Sequence, residues 1–212
     1  PPAAIIVADA RPRVRATLKR TIAFEPDMRV VGSCETSQET WRSLRQRSPE
    51  ILLLDWTLPD TGAMTLLRRL HPGPDLNVIL LTDERNPEVL VEAMLLGARG
   101  AVSVSSCPET LVRCARSVLS GELWFSRSVT RVLRDHILSN PPRQVSPAFE
   151  SVLTPREMDV VRAISRGLMN QEIANELGIS AQTVRHHLKS IFAKLGLSSR
   201  LELALLASKN RL

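Results

Sequence analysis

From Ala3 to about Ser120 the chain alternates short apolar runs with amphipathic stretches. The runs are Ile5-Ile6-Val7, Val30-Val31, Ile51-Leu52-Leu53-Leu54, Val78-Ile79-Leu80-Leu81 and Ala101-Val102. They recur at intervals suited to strand–helix repeats, which predicts an α/β fold: a doubly wound parallel sheet with helices on both faces. In such sheets ligands gather beyond the carboxyl ends of the strands. Asp9 follows the first run, Asp55 ends the third and Thr82 ends the fourth, so three polar groups converge on one rim.

The pattern then changes period. After Gly121-Glu122-Leu123-Trp124-Phe125-Ser126-Arg127, the residues Val129, Val132, Leu133, His136 and Ile137 make one stripe at helical spacing. This predicts a sixth helix after the strand–helix repeats. Asn140-Pro141-Pro142-Arg143 stops it, and the Pro- and Ser-containing segment through Ser151 reads as a linker. The organisation is therefore residues 1–121, an extra helix and linker over 122–152, and a third region from 153 to 212.

That third region predicts an all-α unit of four helices. Thr154-Pro155-Arg156-Glu157 is a capping box with proline in the first turn. Met158, Val161, Ile164 and Leu168 follow as a buried stripe, and Gly167 breaks the helix. A short helix carries Ile173, Ala174 and Leu177. Gly178 supplies a sharp turn, and Ser180 caps a third helix running to about Leu195. On that helix Val184, Leu188, Ile191 and Leu195 share one side, while Gln182, Arg185, His186, Lys189 and Ala193 lie opposite.

Charge sharpens this picture. No acid lies between Leu177 and Leu201, against Arg185, Lys189, Lys194 and Arg200. From Leu153 onward there are nine Arg and Lys against five Asp and Glu, so most of the formal +6 of the 212-residue chain sits there. A face of Gln, Arg, His and Lys suits the major groove of double-stranded DNA, where Arg or Lys pairs with guanine and Gln with adenine. The competing reading, a merely solvated helix face, does not account for the turn chemistry and the missing acids together.

The remaining composition excludes rather than assigns. With 43% apolar and 24% charged residues the chain reads as globular and soluble. Cys34, Cys107 and Cys114 are an odd number without metal-ligand spacing, which predicts reduced thiols in a cytoplasmic protein, Cys107 and Cys114 sharing a helix face. No apolar run predicts a membrane span. Pro1-Pro2 without a Met predicts a trimmed or processed N-terminus. Trp41 and Trp56 read as packing or pocket-edge groups, and His71 as a surface residue at a helix end. No nucleophile–base pair or glycine-rich phosphate loop is visible, so an enzyme is not expected.

The carboxyl-terminal motifs carry a family resemblance. Leu153-Thr154-Pro155-Arg156-Glu157, Gly167-Leu168, Asn170-Gln171-Glu172-Ile173-Ala174, Leu177-Gly178-Ile179-Ser180, Thr183-Val184-Arg185, His187-Leu188, Lys194-Leu195 and Ser198-Ser199-Arg200 resemble the helix-turn-helix of the LuxR/NarL/FixJ transcription regulators. The resemblance implies a recognition helix with Arg185, His186 and Lys189 reading bases, Gln182, Thr183 and Lys194 beside them, and a dimer contact within Leu201–Leu206. His187 belongs to packing or a phosphate contact.

The amino-terminal half resembles the receiver domain of two-component response regulators, with Gly97-Ala98-Arg99-Gly100 and Pro108-Glu109 adding to the match. That resemblance implies five strands in the order 2-1-3-4-5, Asp55 as phosphoacceptor, Asp9 as one acid of a metal-binding pair and Thr82 as the phosphoryl-binding hydroxyl. Three departures stand out. The second acid is Ala10, the expected lysine is Val104, and the expected aromatic switch residue is Ala101. Phosphoryl transfer to a carboxylate needs a cation, and Mg²⁺ needs carboxylates. The expectation is a degenerate receiver with at most a weak Mg²⁺ site at Asp9 and Asp55, no fixed protein cation, and no switching by phosphorylation of Asp55.

Trp124-Phe125-Ser126-Arg127 resembles the Trp-x-Ser/Thr-Arg motif of LuxR-type biofilm regulators that bind cyclic di-GMP. This makes Trp124, Ser126 and Arg127 candidate nucleotide-binding residues. The competing reading packs Trp124 on the receiver with Arg127 solvated beside it. Taken together, the sequence predicts a homodimeric, DNA-binding transcription regulator. Two rivals remain: a conventional regulator driven by a sensor kinase through Asp55, and a pseudo-receiver that docks a protein partner to mask or recruit the DNA unit.

Overall fold

The computed structural model of the protein describes residues 2–70, 76–139, 152–197 and 200–209. They form two compact units, one extending to Val132 and the other beginning at Leu133. No helix among the described residues is long and apolar enough to cross a membrane. His71, the segment 140–151, and Ser198-Ser199 lie outside the described residues.

The first unit alternates strand and helix as its apolar runs predict. Its elements are β1 (Ala3–Ala8), α1 (Pro12–Ala23), β2 (Met28–Cys34), α2 (Ser37–Arg47), β3 (Ile51–Asp55), α3 (Gly62–Leu70), β4 (Asn77–Leu81), α4 (Pro87–Leu95), β5 (Ala98–Val102) and α5 (Pro108–Leu119). The sheet is parallel, in the order β2-β1-β3-β4-β5. Side chains alternate across it. Ile5, Val7, Ile51, Leu53, Ile79 and Leu81 face Leu18 and Ile22 of α1 and Leu111, Val112 and Ala115 of α5. Ile6, Ala8, Leu52, Leu54, Val78 and Leu80 face α3 and α4 through Ala63, Leu66, Leu67 and Ala93. Every residue of β3 and β4 is buried, which explains their unbroken apolar runs. Burying one such aliphatic side chain contributes roughly 1.5–3 kcal/mol, so the carboxylate ending β3 needs a polar justification of its own.

Two features depart from the sequence reading. Cys107 precedes α5 as its exposed cap, because Pro108 opens the helix, whereas Cys114 is buried inside it. The two thiols do not share a face. The first unit also runs past residue 121. The Trp124 backbone N–H donates to the Arg99 carbonyl and its carbonyl accepts from Ala101 N–H, both at 2.9 Å, extending the sheet by one bridge beside β5. Gly100 permits the close approach, since a Cβ there would meet Cys114 Sγ at 3.0 Å and Trp124 Cβ at 3.3 Å. The predicted sixth helix follows as α6 (Arg127–Ser139), with Val129 and Leu133 buried and Val132 half-buried. The side chains of His136 and Ile137 are outside the description.

The second unit contains four helices: α7 (Pro155–Ser165), α8 (Asn170–Leu177), α9 (Ala181–Leu195) and α10 (Arg200–Lys209). The capping box at α7 is present: Thr154 Oγ1 accepts from Glu157 N–H at 3.3 Å, and Glu157 Oε2 accepts from Thr154 N–H at 2.7 Å. Gly178, with φ 64°, makes the left-handed turn between α8 and α9. Ser180 Oγ then accepts from Thr183 N–H at 3.0 Å and starts α9. Met158, Val161, Ile164, Ile173, Ala174, Val184, Leu188, Ile191, Leu203 and Leu206 form the core.

Candidate functional site: an acid pocket and a basic helix

Asp9, Asp55 and Thr82 meet at the carboxyl rim of the sheet, where the strand ends place them. Asp9 and Asp55 are buried, at 0% and 3% exposure. Two buried carboxylates this close demand a counter-charge, and Arg11 provides it. Arg11 Nε donates to Asp9 Oδ1 at 2.9 Å and Nη2 to Asp9 Oδ2 at 2.7 Å, a side-on bidentate pair. The same Nη2 reaches Asp55 Oδ1 at 3.2 Å. Asp55 also accepts from Thr57 N–H at 3.3 Å and from Thr57 Oγ1 at 3.1 Å. Arg15 Nη1 closes the back of the pocket on the Asp9 carbonyl at 2.7 Å. The hydrogen bond to Asp9 raises the Arg11 pKa above its usual value, against a smaller lowering by burial.

The pocket opens into a cavity of about 430 Å³ lined by Arg11, Asp55, Trp56, Thr82, Arg85 and Val104, among others. Thr82 Oγ1 accepts from Glu84 N–H at 3.0 Å. Val104 brings only an apolar surface to the position where a lysine is expected. The expectation that no fixed protein cation serves this pocket is therefore corrected: Arg11 is that cation. Ala10 marks the missing acid, and the cation that answers it stands one residue further on. The available signal was the string Asp9-Ala10-Arg11-Pro12: an Asp accepting from the N–H two residues on, and a Pro fixing the start of a helix. Arg11 N–H does donate to Asp9 Oδ1, at 2.8 Å.

In the second unit α9 turns its apolar stripe inward and its polar side outward. Val184, Leu188 and Ile191 are buried, whereas Gln182, His186 and Lys189 are exposed, and Thr183, Arg185 and His187 are half-buried. Arg185 Nη2 donates to Gln182 Oε1, so these two side chains lie together on the outer face. Thr183 Oγ1 lies 2.8 Å from Ser180 Oγ at the helix start. Lys194 departs from the expected DNA-facing set. Its Nζ donates to buried Glu157 Oε2 at 2.6 Å, tying α9 to α7. Its charge serves the fold.

Comparison with known proteins decides the family. The receiver family, "Response regulator receiver domain", matches residues 5–116, and "Bacterial regulatory proteins, luxR family" matches residues 151–207. This chain is a LuxR-family response regulator. It is 33% identical to the uncharacterised transcriptional regulatory protein YhcZ of Bacillus subtilis, over 98% of this chain and 96% of that one. It is 29% identical to the nitrate/nitrite response regulator NarL of Escherichia coli, over 100% and 97% of the two chains. Among solved structures it resembles RcsB of Salmonella enterica serovar Typhimurium bound to promoter P1flhDC with a phosphomimetic, with TM-score 0.56 and 27% identity, covering 99% of this chain and 100% of that one.

Receivers imply a divalent cation, and the residues of this response regulator do not fit one. Arg11 Nη2 sits between the two carboxylates, all four of whose oxygens already accept a hydrogen bond. Ala10 adds no ligand. Mg²⁺ demands oxygen ligands in near-octahedral array and would have to displace the guanidinium. Trp124, Ser126 and Arg127 are placed in one short stretch. Trp124 is half-buried against the α1/α5 core, and the Arg113 guanidinium lies over its ring at 5.6 Å. Ser126 Oγ lies 2.8 Å from Ser128 Oγ, and Arg127 is exposed at the start of α6. The geometry gives Trp124 a packing role on the receiver.

Proposed function

We propose that this response regulator binds double-stranded DNA sequence-specifically as a homodimer, controlling transcription, and that phosphorylation of Asp55 does not govern it. The observation that carries the DNA half is the outer face of α9. Gln182, Arg185, His186 and Lys189 stand together opposite a fully apolar inner stripe, on a segment without an acid. One short helix contacts only a few base pairs, so paired half-sites read by two copies supply the missing specificity. A solved RcsB structure described as two dimers bound to two parallel DNAs supports that arrangement. The receiver half of the proposal is supported by the acid pocket, where one guanidinium already pairs with both Asp9 and Asp55.

The test is equilibrium binding to promoter fragments and to random duplex across a salt series. A salt-sensitive preference for one fragment is expected, and Arg185→Ala should weaken it by about 1–3 kcal/mol if that side chain pairs with a base. Equal affinity for all duplexes would overturn the DNA assignment. For the receiver, beryllofluoride with Mg²⁺ should leave operator affinity unchanged; a tightening would instead establish the conventional phosphorylation-driven regulator.

A further inference from the structure

We propose that Arg11 is a tethered cation standing in the place of a divalent metal ion, so that this receiver supplies its acid pocket with a counter-charge from within and excludes Mg²⁺. The inference deepens, and rests on, the reading of the receiver given above.

Three observations carry it. First, position: one nitrogen, Nη2, lies 2.7 Å from Asp9 and 3.2 Å from Asp55, where a cation bridging the two carboxylates has to sit. Second, the backbone aims the side chain there. Arg11 occupies the residue before α1 with φ −82° and ψ 113°, the extended conformation that a following proline enforces. Its N–H is held by the same Asp9 carboxylate that its guanidinium grips, so main chain and side chain close one ring around Asp9. Third, charge: Asp9 and Asp55 bring −2 and Arg11 returns +1. A divalent ion placed beside a retained guanidinium would meet like charge at contact distance, above two buried carboxylates. Either the guanidinium leaves or the metal stays out. The side chain is half-exposed (48%), so its replacement leaves the apolar core untouched.

The experiment is a Mg²⁺ titration of the full chain at constant ionic strength, up to about 20 mM, a range in which counter-ion screening is held fixed with NaCl. It is followed by tryptophan emission, since Trp56 lines the pocket, and by thermal unfolding. The unaltered protein should respond to neither readout. Arg11→Ala should gain a saturable change in emission and a Mg²⁺-dependent rise in Tm, with Mg²⁺ affinity at least tenfold above that of the unaltered protein. Arg11→Lys, which keeps the charge, should remain close to unresponsive. Arg11→Gln reads the same gain should Arg11→Ala fold poorly. A saturable Mg²⁺ response in the unaltered protein overturns the proposal, and so does an Arg11→Ala variant as indifferent to Mg²⁺ as its parent. If beryllofluoride tightened DNA binding while the unaltered protein ignored Mg²⁺ alone, the reading that phosphorylation of Asp55 does not govern the protein would fall and the tethered cation would stand.

Discussion

Glu157 ties two helices of the DNA-binding unit, α7 and α9, through one carboxylate. Besides closing the capping box on Thr154, it accepts from Ser190 Oγ and from Lys194 Nζ, each at 2.6 Å. Burial alone would raise its pKa, but the bonds from Lys194, Ser190 and Thr154 outweigh burial and hold it at about 2, below the ordinary 4.5. A depressed carboxylate stabilises the fold above its unfolded pKa and loses that contribution as pH falls through its folded one. The stabilisation should therefore be complete above pH 4.5 and fade towards pH 2. Glu157→Gln should cost about 1–3 kcal/mol at neutral pH and flatten this acid limb, read by circular dichroism during urea unfolding at several pH values. The capping role was legible from Thr154-Pro155-Arg156-Glu157, because a cap is local. The Lys194 partnership was not, since 37 residues separate the two and only the packing of α9 on α7 brings them together. Arg11 teaches the complementary lesson. It sits two residues from Asp9, yet its reach to Asp55 depends on the sheet order.

At the scale of elements, the turn between α8 and α9 sets how α9 is presented. Gly178 adopts φ 64°, and a Cβ there would meet no atom within 4 Å, so a substitution is strained by backbone conformation alone. Gly178→Ala should lower the stability of the unit by about 1–2 kcal/mol, seen as a reduced denaturation midpoint with an unchanged slope. A stability equal to that of the unaltered chain would show that the turn relaxes freely. Strands and helices of both units were legible because burial repeats with their periods. The apolar pattern marks β5 at Ala101-Val102 alone, since Arg99 and Gly100 interrupt its signal, although the strand starts at Ala98. The bridge at Trp124 has no period to read. It depends on the small surface left by Gly100, which the sequence shows only as one glycine among several.

For the whole molecule, the charge distribution implies an electrostatic contact with duplex DNA that weakens with salt. Lys189 is exposed on the outer face of α9. If it contacts a phosphate, Lys189→Ala should weaken binding to all duplexes alike and reduce the log–log salt slope by about one, whereas Arg185→Ala should act on the preferred sequence. Equal effects of the two changes on preferred and random duplex would merge their roles.

The bridge at Trp124 has a bearing on how the receiver can be shortened. A parallel sheet ends in two strands with open peptide groups, here β2 and β5, and open edges invite self-association. The bridge covers part of the β5 side by occupying the Arg99 carbonyl and the Ala101 N–H. A fragment cut after Gly121 uncovers both and should form polydisperse aggregates in light scattering, while one continuing through Val132 should stay monodisperse. The strip between two recognisable domains is thus a selvage: it keeps the woven edge from fraying.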